Sequence, residues 1–284
     1  MAVTVPARVG LAGNPSDGYG GATLAVPLPL LSATAEVVDT AGADDDLVRA
    51  ACAVLHVEHV DVRWHTTIPR SVGLAGSSAV VVATIRAVAA HIGVDLEPME
   101  VASLALRAER DVLGIPAGWQ DRVVQAYGVP VLVDLESGAP VARVVRPARP
   151  LVLFAAWRAQ DASPSQDAHG SLRERYERGD EGLVDAMVEL ASIARDAALG
   201  FERGDAEVLT RGIDATCEVR ARIGALTAPT AELVAIARAH GAGATSAGSG
   251  GAVAGVAPHD DRALARAFAA VGAAYVTWTP KLHE

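Results

Sequence analysis

Lysine is all but missing from this chain. Lys281 is the one ammonium side chain in 284 residues, and arginine supplies the rest of the 24 basic groups. No GxxxxGK[ST] phosphate loop exists, and no lysine stands where a Schiff base or the β3 lysine of a protein kinase would need it. Cysteine is nearly as scarce: Cys52 and Cys217 lie far apart with no secretion signal ahead of them, so they read as reduced core residues rather than a disulfide. The eight histidines show no metal-ligand spacing, since His56 and His59 have no second ligand pair nearby, which argues against a structural zinc. Apolar runs are broken by Gly, Pro or charge before reaching the roughly 20 residues of a membrane span. The N-terminus has no basic signal-peptide head, so a cytoplasmic protein outside the membrane is expected. An excess of positive charge is also lacking. The net charge of −10 argues against a general nucleic-acid binder while leaving room for a local basic pocket for a small anion.

What is present is core material and glycine. Hydrophobic residues make up 51% of the chain, enough for one large domain or two intimate ones. The spacing predicts strands over 3–11, 22–31, 60–66 and 128–135, and helices from the Asp44-Asp45-Asp46 run to 56, after Ser77 to 90, and over 98–113. Two prolines and two arginines over 146–150 mark a boundary, dividing the chain into expected domains 1–148 and 149–284. Beyond it a strand over 151–157, a polar loop over 161–170 and two long helices are expected. Leu183, Met187, Leu190, Ala194, Ala197 and Phe201 form one apolar stripe, and Leu209, Ile213, Cys217 and Arg220 form a weaker one. A helix over 229–240, a strand over 250–257, a helix over 260–271 and a strand over 274–279 complete an α+β pattern, with helices on one face of a mostly antiparallel sheet.

Four separated segments carry chemistry. In Pro69-Arg70-Ser71-Val72-Gly73-Leu74-Ala75-Gly76-Ser77-Ser78-Ala79, Gly73 and Gly76 can take backbone angles closed to other residues, and the following helix points its partly positive N-terminus at the same place. Ser77 and Ser78 can cap that helix, bind phosphate or offer a hydroxyl to magnesium; an ordinary serine-capped junction has the same composition. Near the N-terminus Arg8 reads as a phosphate clamp and Asn14 and Asp17 as partners for polar substrate groups, or else as a surface arginine and an Asx turn. In the middle, Glu109 late on a helix and Asp121 in a loop suit a magnesium ligand and a proton acceptor, although two solvated carboxylates would look alike. The run 241–251, the most glycine-dense in the chain, permits close backbone approach to a ligand or a neighbouring loop.

In this order the segments resemble the GHMP kinases, named for galactokinase, homoserine kinase, mevalonate kinase and phosphomevalonate kinase. Residues 8–21 look like the first, substrate-side motif, 69–79 like PxxxGLxSSA, Glu109 through Asp121 like E-x4-G-x-P-x-G-x2-D, and 243–251 like the third glycine motif. Within the family, 8–17, 117–123, the stretch from His169 to Arg173 with 179–181, and 248–253 resemble glucuronokinases, sugar 1-kinases that make glucuronic acid 1-phosphate. A galactokinase would instead carry Glu-His-Thr-Asp where Asn14-Pro15-Ser16-Asp17 stands.

The resemblance implies a two-domain α+β fold, with an N-terminal domain like ribosomal protein S5 domain 2 and a ferredoxin-like C-terminal domain. It implies ATP bound by Pro69, Gly73, Leu74, Ala75, Gly76, Ser77, Ser78 and Ala79 with Gly248, Ser249 and Gly250, and Mg2+ held by Ser78 and Glu109. Asp121 and Arg8 would be catalytic. Asn14, Asp17, Arg122, His169 and Arg173 would bind the sugar, with Arg122 or Arg173 gripping a uronate carboxylate. The expected partners are ATP and a small sugar or uronic acid, in a monomer or homodimer, with neither nucleic acid nor membrane. A kinase for another sugar or polyol, a non-catalytic galactokinase-like regulator and a family decarboxylase are the alternatives.

Overall fold

The structure is a computed structural model that describes residues 1–39, 45–58, 60–161 and 172–282. Two compact units emerge, the first built from 1–8, 27–68 and 75–129, the second from 9–26, 69–74 and 130–284. Strands β1 (Ala2–Ala12) and β2 (Ala22–Val38) run through both.

In the first unit β2 pairs antiparallel with β3 (Asp61–Thr66), from Ala33 opposite Thr66 to Val38 opposite Asp61. Four helices accompany them: α1 (Asp46–Val54), α2 (Gly76–His91), α3 (Pro98–Arg107) and α4 (Gln120–Tyr127). Asp45 caps α1, its side chain accepting from the backbone N–H groups of Leu47 and Val48, which satisfies two of the orphan donors at a helix start. Helix α2 is apolar nearly all round. From Ser78 to Ala89 almost every side chain is buried, as expected of a helix enclosed by others, here α1, α3 and α4. That enclosure fixes where its N-terminus points. Helix α3 does not run on to residue 113 as its sequence suggests. It passes at Ala108 into a π turn (Ala108–Val112), and Gly114 at φ +66° ends the segment.

In the second unit the N-terminal end of β2 pairs with β4 (Val131–Asp134), and β4 with β5 (Val141–Val144). The chain continues through β6 (Leu153–Trp157), α5 (Glu181–Arg203), α6 (Ala206–Arg222), α7 (Ala228–Ala239), β7 (Ala244–Ser246), β8 (Ala252–Val256), α8 (Arg262–Ala270) and β9 (Ala274–Trp278). The last four strands form an antiparallel sheet in the order β7-β8-β6-β9. Counted from β6, that is the order 2-3-1-4 of a ferredoxin-like βαββαβ unit, as the resemblance implies. Phe154 from the sheet meets Phe268 of α8 with ring centroids 6.0 Å apart, in a core shared with Leu233 of α7.

The glycine-dense run 241–251 contains strand β7. Residues 244–246 are fully enclosed and pair with β8, which is possible because Gly255 has no side chain: a Cβ there would lie 1.9 Å from the Gly243 carbonyl oxygen.

Candidate active site

In the first unit α4 carries two adjacent charges that turn to different partners. Asp121 Oδ1 accepts a hydrogen bond of 2.5 Å from Arg8 Nε on β1. Arg122 Nε donates to Glu109 Oε2 of the π turn, and Arg122 Nη1 to the Gly118 carbonyl at 3.1 Å. Arg122 Nη1 also lies 3.5 Å from Asp121 Oδ2, so Arg8, Asp121, Arg122 and Glu109 form one alternating network with no net charge. A neutral network of this kind removes the cost of burying each charge alone. Asp121 keeps 20% of its side chain open, whereas the Glu109 side chain is 1% exposed. Of the four, Asp121 is the group a reactant in solution can reach.

Asp121 belongs to the first turn of α4 and not to a loop. Gln125, one turn further along the same helix, donates through Nε2 to the carbonyls of Pro6 on β1 at 3.2 Å and of Ala75 at 2.9 Å. Arg122 is turned inward onto Glu109, so the guanidinium expected for a substrate carboxylate is engaged within the chain.

The glycine-rich segment also differs in detail from its sequence pattern. Gly73 takes the left-handed conformation at φ +86°, but Gly76 does not. Two non-glycine residues are left-handed instead, Ser71 at φ +56° and Ala75 at φ +59°; Ala75 caps α2 with its backbone while neither serine of that helix start supplies a side-chain cap. A non-glycine residue held there carries a strain of about 1 kcal/mol, and the Gln125 bond to its carbonyl is one of the contacts that maintain it. The first turn of α2 is left without a side-chain acceptor, which suits an anion. Ser77 is exposed and Ser78 buried; Leu74 and Ala79 pack inward.

Four buried side-chain oxygens in this unit lack a hydrogen-bonding partner: Ser78 Oγ, Thr84 Oγ1, Glu109 Oε1 and Gln125 Oε1. Ser78 and Glu109 are the two groups expected to hold Mg2+. Hard oxygen donors left unsatisfied in the interior fit such an ion, which takes one or two protein oxygens and completes its shell from substrate phosphates and water. Among the described residues no cluster of three His, Cys, Asp or Glu side chains stands ready for a metal by itself.

The second unit holds the remaining candidates. Gly250 packs directly on the start of the glycine-rich segment: a Cβ on Gly250 would lie 2.8 Å from Ser71 O, and one on Gly73 would lie 2.6 Å from Gly250 N. The Ala252 N–H donates to Val72 O at 2.8 Å, so Gly250 and Ala252 brace the backbone of 71–73. Asn14 and Asp17 are both buried, Asn14 at the cis Asn14–Pro15 peptide and Asp17 within a 3-10 turn (Ser16–Tyr19). Arg220 of α6 binds the Asn14 side chain, a contact that sequence reasoning missed; its one signal was an arginine in the apolar stripe of that helix. Arg173 is exposed, its guanidinium carbon 5.2 Å above the ring centre of Tyr19. Burial pushes the Tyr19 hydroxyl above its ordinary pKa, and the nearby Arg173 charge pulls it partly back. His169 lies outside the described residues.

Comparison with known proteins gives the family. The family described as "GHMP kinases N terminal domain" matches residues 34–129. Glucuronokinase 1 of Arabidopsis thaliana is 30% identical over 305 residues, covering 87% of this chain and 82% of that protein. Probable glucuronokinase 2 of the same plant is 29% identical over 309 residues, covering 87% and 81%. Among solved structures, Streptococcus pneumoniae phosphomevalonate kinase in complex with phosphomevalonate and AMPPNP superposes with a TM-score of 0.81 at 13% identity, over 98% of this chain and 100% of that one. At that identity the likeness speaks for the fold. No described helix is long and apolar enough to cross a membrane. With its α+β architecture, its ordered motifs and relatives of this identity along most of its length, the chain belongs to the GHMP kinase family.

Proposed function

We propose that this protein transfers the γ-phosphoryl group of ATP to the anomeric hydroxyl of a sugar, with glucuronic acid as the preferred acceptor. The observation that carries the reading is the Arg8–Asp121 pair: a carboxylate held at 2.5 Å by a buried guanidinium, yet still open to solvent on one side. The acceptor is proposed from the similarity to the two Arabidopsis proteins, named as glucuronokinases.

In this scheme Asp121 accepts the proton of the acceptor hydroxyl as its oxygen bonds to the γ-phosphorus. The bond from that phosphorus to the bridging oxygen breaks, and ADP leaves. Arg8 fixes the carboxylate through Nε, and its charge offsets the negative charge on the group in transfer. The backbone of 73–78 and the start of α2 receive the phosphates, with Gly250 and Ala252 as the brace. Ser78 Oγ and Glu109 Oε1 are the oxygens proposed to hold a magnesium ion, which when bound neutralises phosphate charge. Arg122 occupies the other Glu109 oxygen and keeps that carboxylate from lying alone in the interior. Asn14 and Asp17 are proposed to bind the sugar. The uronate carboxylate is assigned to Arg173, because Arg173 is exposed and Arg122 is already bonded to Glu109.

The test is ADP release with ATP and magnesium across free sugars, polyols and uronic acids. Turnover that is greatest on glucuronic acid supports the reading. Turnover on another acceptor keeps the kinase and moves the substrate, and ATP binding without turnover on any acceptor argues for a ligand-binding regulator.

A further inference from the structure

Arg220 is an arginine in the interior of a helix whose neighbours are apolar. Only 4% of it is exposed, on a face of α6 that also presents Leu209, Ile213 and Cys217 to the core. A guanidinium is not buried there without a set of acceptors, and the acceptors are specific. Nη1 donates to the Asn14 backbone carbonyl at 3.1 Å and to Asn14 Oδ1 at 2.6 Å. Nη2 donates to the Gly248 carbonyl at 3.0 Å and to the Ala225 carbonyl at 3.0 Å. One turn earlier on the same helix, Thr216 Oγ1 accepts the Gly13 N–H at 3.2 Å. A single helix face therefore grips the substrate-side turn at two successive residues and, through one of the same side chains, the third glycine motif.

The orientation of the Asn14 amide follows from this. Its oxygen is the shortest of the four acceptors and faces a positive charge, so the NH2 group is turned the opposite way. The planar guanidinium fork reaches both loops at once, which a lysine ammonium on a flexible stem does not. We propose that Arg220 is a positioning residue that fixes the Asn14 amide with its oxygen inward and ties that turn to Gly248, so that one guanidinium sets both the acceptor loop and the nucleotide loop. The proposal rests on the sugar-kinase reading for the role of Asn14.

The experiment compares wild type with Arg220→Lys, Asn14→Ala and the double variant, measuring kcat, the two KM values, the ATP dissociation constant by titration calorimetry, and the melting temperature. Arg220→Lys is expected to raise both the acceptor KM and the ATP dissociation constant by about tenfold, the worth of one charge-assisted hydrogen bond, with a smaller change in kcat. Asn14→Ala should raise the acceptor KM alone. In the Asn14→Ala background Arg220→Lys should still weaken ATP but leave the acceptor KM within about twofold, because the amide it orients is gone. A lower melting temperature with both constants unchanged, or acceptor effects that multiply in the double variant, would overturn the proposal. Should wild type turn over no sugar, the proposed function fails separately, and the ATP titration decides Arg220 alone. Should Arg220→Lys not fold, Asn14→Asp replaces it. Its carboxylate still accepts from Arg220 and holds the melting temperature, while the lost NH2 raises the acceptor KM; an unchanged KM contradicts the amide orientation.

Discussion

An alanine at position 250 would test the brace on the phosphate loop with a single methyl group. Gly250 does not occupy the left-handed region, so its substitution carries no conformational cost, and the whole effect comes from contact. The new Cβ would lie 2.8 Å from Ser71 O, 2.8 Å from Val72 C and 2.9 Å from Gly73 N, all backbone atoms that cannot rotate away. Ordinary contact begins at 3.4 Å, so the 71–73 backbone must retreat by 3.4 − 2.8 = 0.6 Å. Overpacking of this kind costs about 1–3 kcal/mol, or roughly 2–4 °C of melting temperature per kcal/mol in a chain of this size. The displaced segment is the one proposed to receive the phosphates, and misplacement by a fraction of an ångström there should weaken ATP binding by about tenfold or more. The assay is ATP titration beside thermal denaturation, with Gly93→Ala as the comparison. Gly93 has φ +72° and nothing within 4 Å of a built Cβ, so its alanine should lower stability by about 1 kcal/mol without touching ATP affinity. If Gly250→Ala and Gly93→Ala lower the melting temperature alike and both bind ATP within twofold of wild type, the brace does not serve the nucleotide.

Two further predictions concern the unpartnered oxygens and the pH dependence of stability. Ser78→Ala removes a buried hydroxyl that bonds to nothing, so the melting temperature should hold or rise by the equivalent of about 1 kcal/mol, while turnover with magnesium and ATP falls on the order of a hundredfold; a melting temperature lowered by several degrees with turnover intact would contradict the metal role. Arg195 forks onto Asp134 at 2.7 and 2.9 Å, and that hydrogen bonding holds the Asp134 carboxyl below its usual pKa of 3.8. A carboxyl lowered in the fold stabilises above its unfolded pKa and loses that contribution as pH falls through the folded value. Asp134→Asn should therefore cost up to about 1 kcal/mol at pH 7, discounted because Arg195 is a third exposed, and the gap from wild type should close as the pH falls below the ordinary carboxylate range; a gap that persists or widens in acid would refute the assignment.

The elements with strong local signals were legible in the sequence: α2 from its apolar run, α5 from its stripe, α1 from its acidic cap. Where long-range pairing decides, local reading fell short. Strand β2 continues past residue 31 to Val38 because β3 pairs with it there, a partner invisible in the residues themselves. Helix α4 is only eight residues long and polar on average, so Asp121 looked like a loop residue and the service of Gln125 to the Ala75 carbonyl went unseen. The left-handed turn at Ala75 was hidden by the glycine next to it, which is the usual occupant of such a conformation. Arg220 stood in view within an apolar stripe, and what the pattern lacked was the identity of its acceptors, which come from 14, 225 and 248.

The central claim is that Asp121 drives phosphoryl transfer from ATP to a sugar's anomeric oxygen. Phosphorus NMR of the reaction with ATP, magnesium and glucuronic acid tests it most directly, run on wild type and on Asp121→Asn, a substitution that keeps the shape of the side chain beside Arg8 and removes its basicity. The account predicts a sugar phosphate resonance coupled to the anomeric proton in wild type, formed at least about a thousandfold more slowly by the variant. A phosphate coupled to any other sugar proton, no transfer to sugar at all, or equal rates in the two proteins would contradict it.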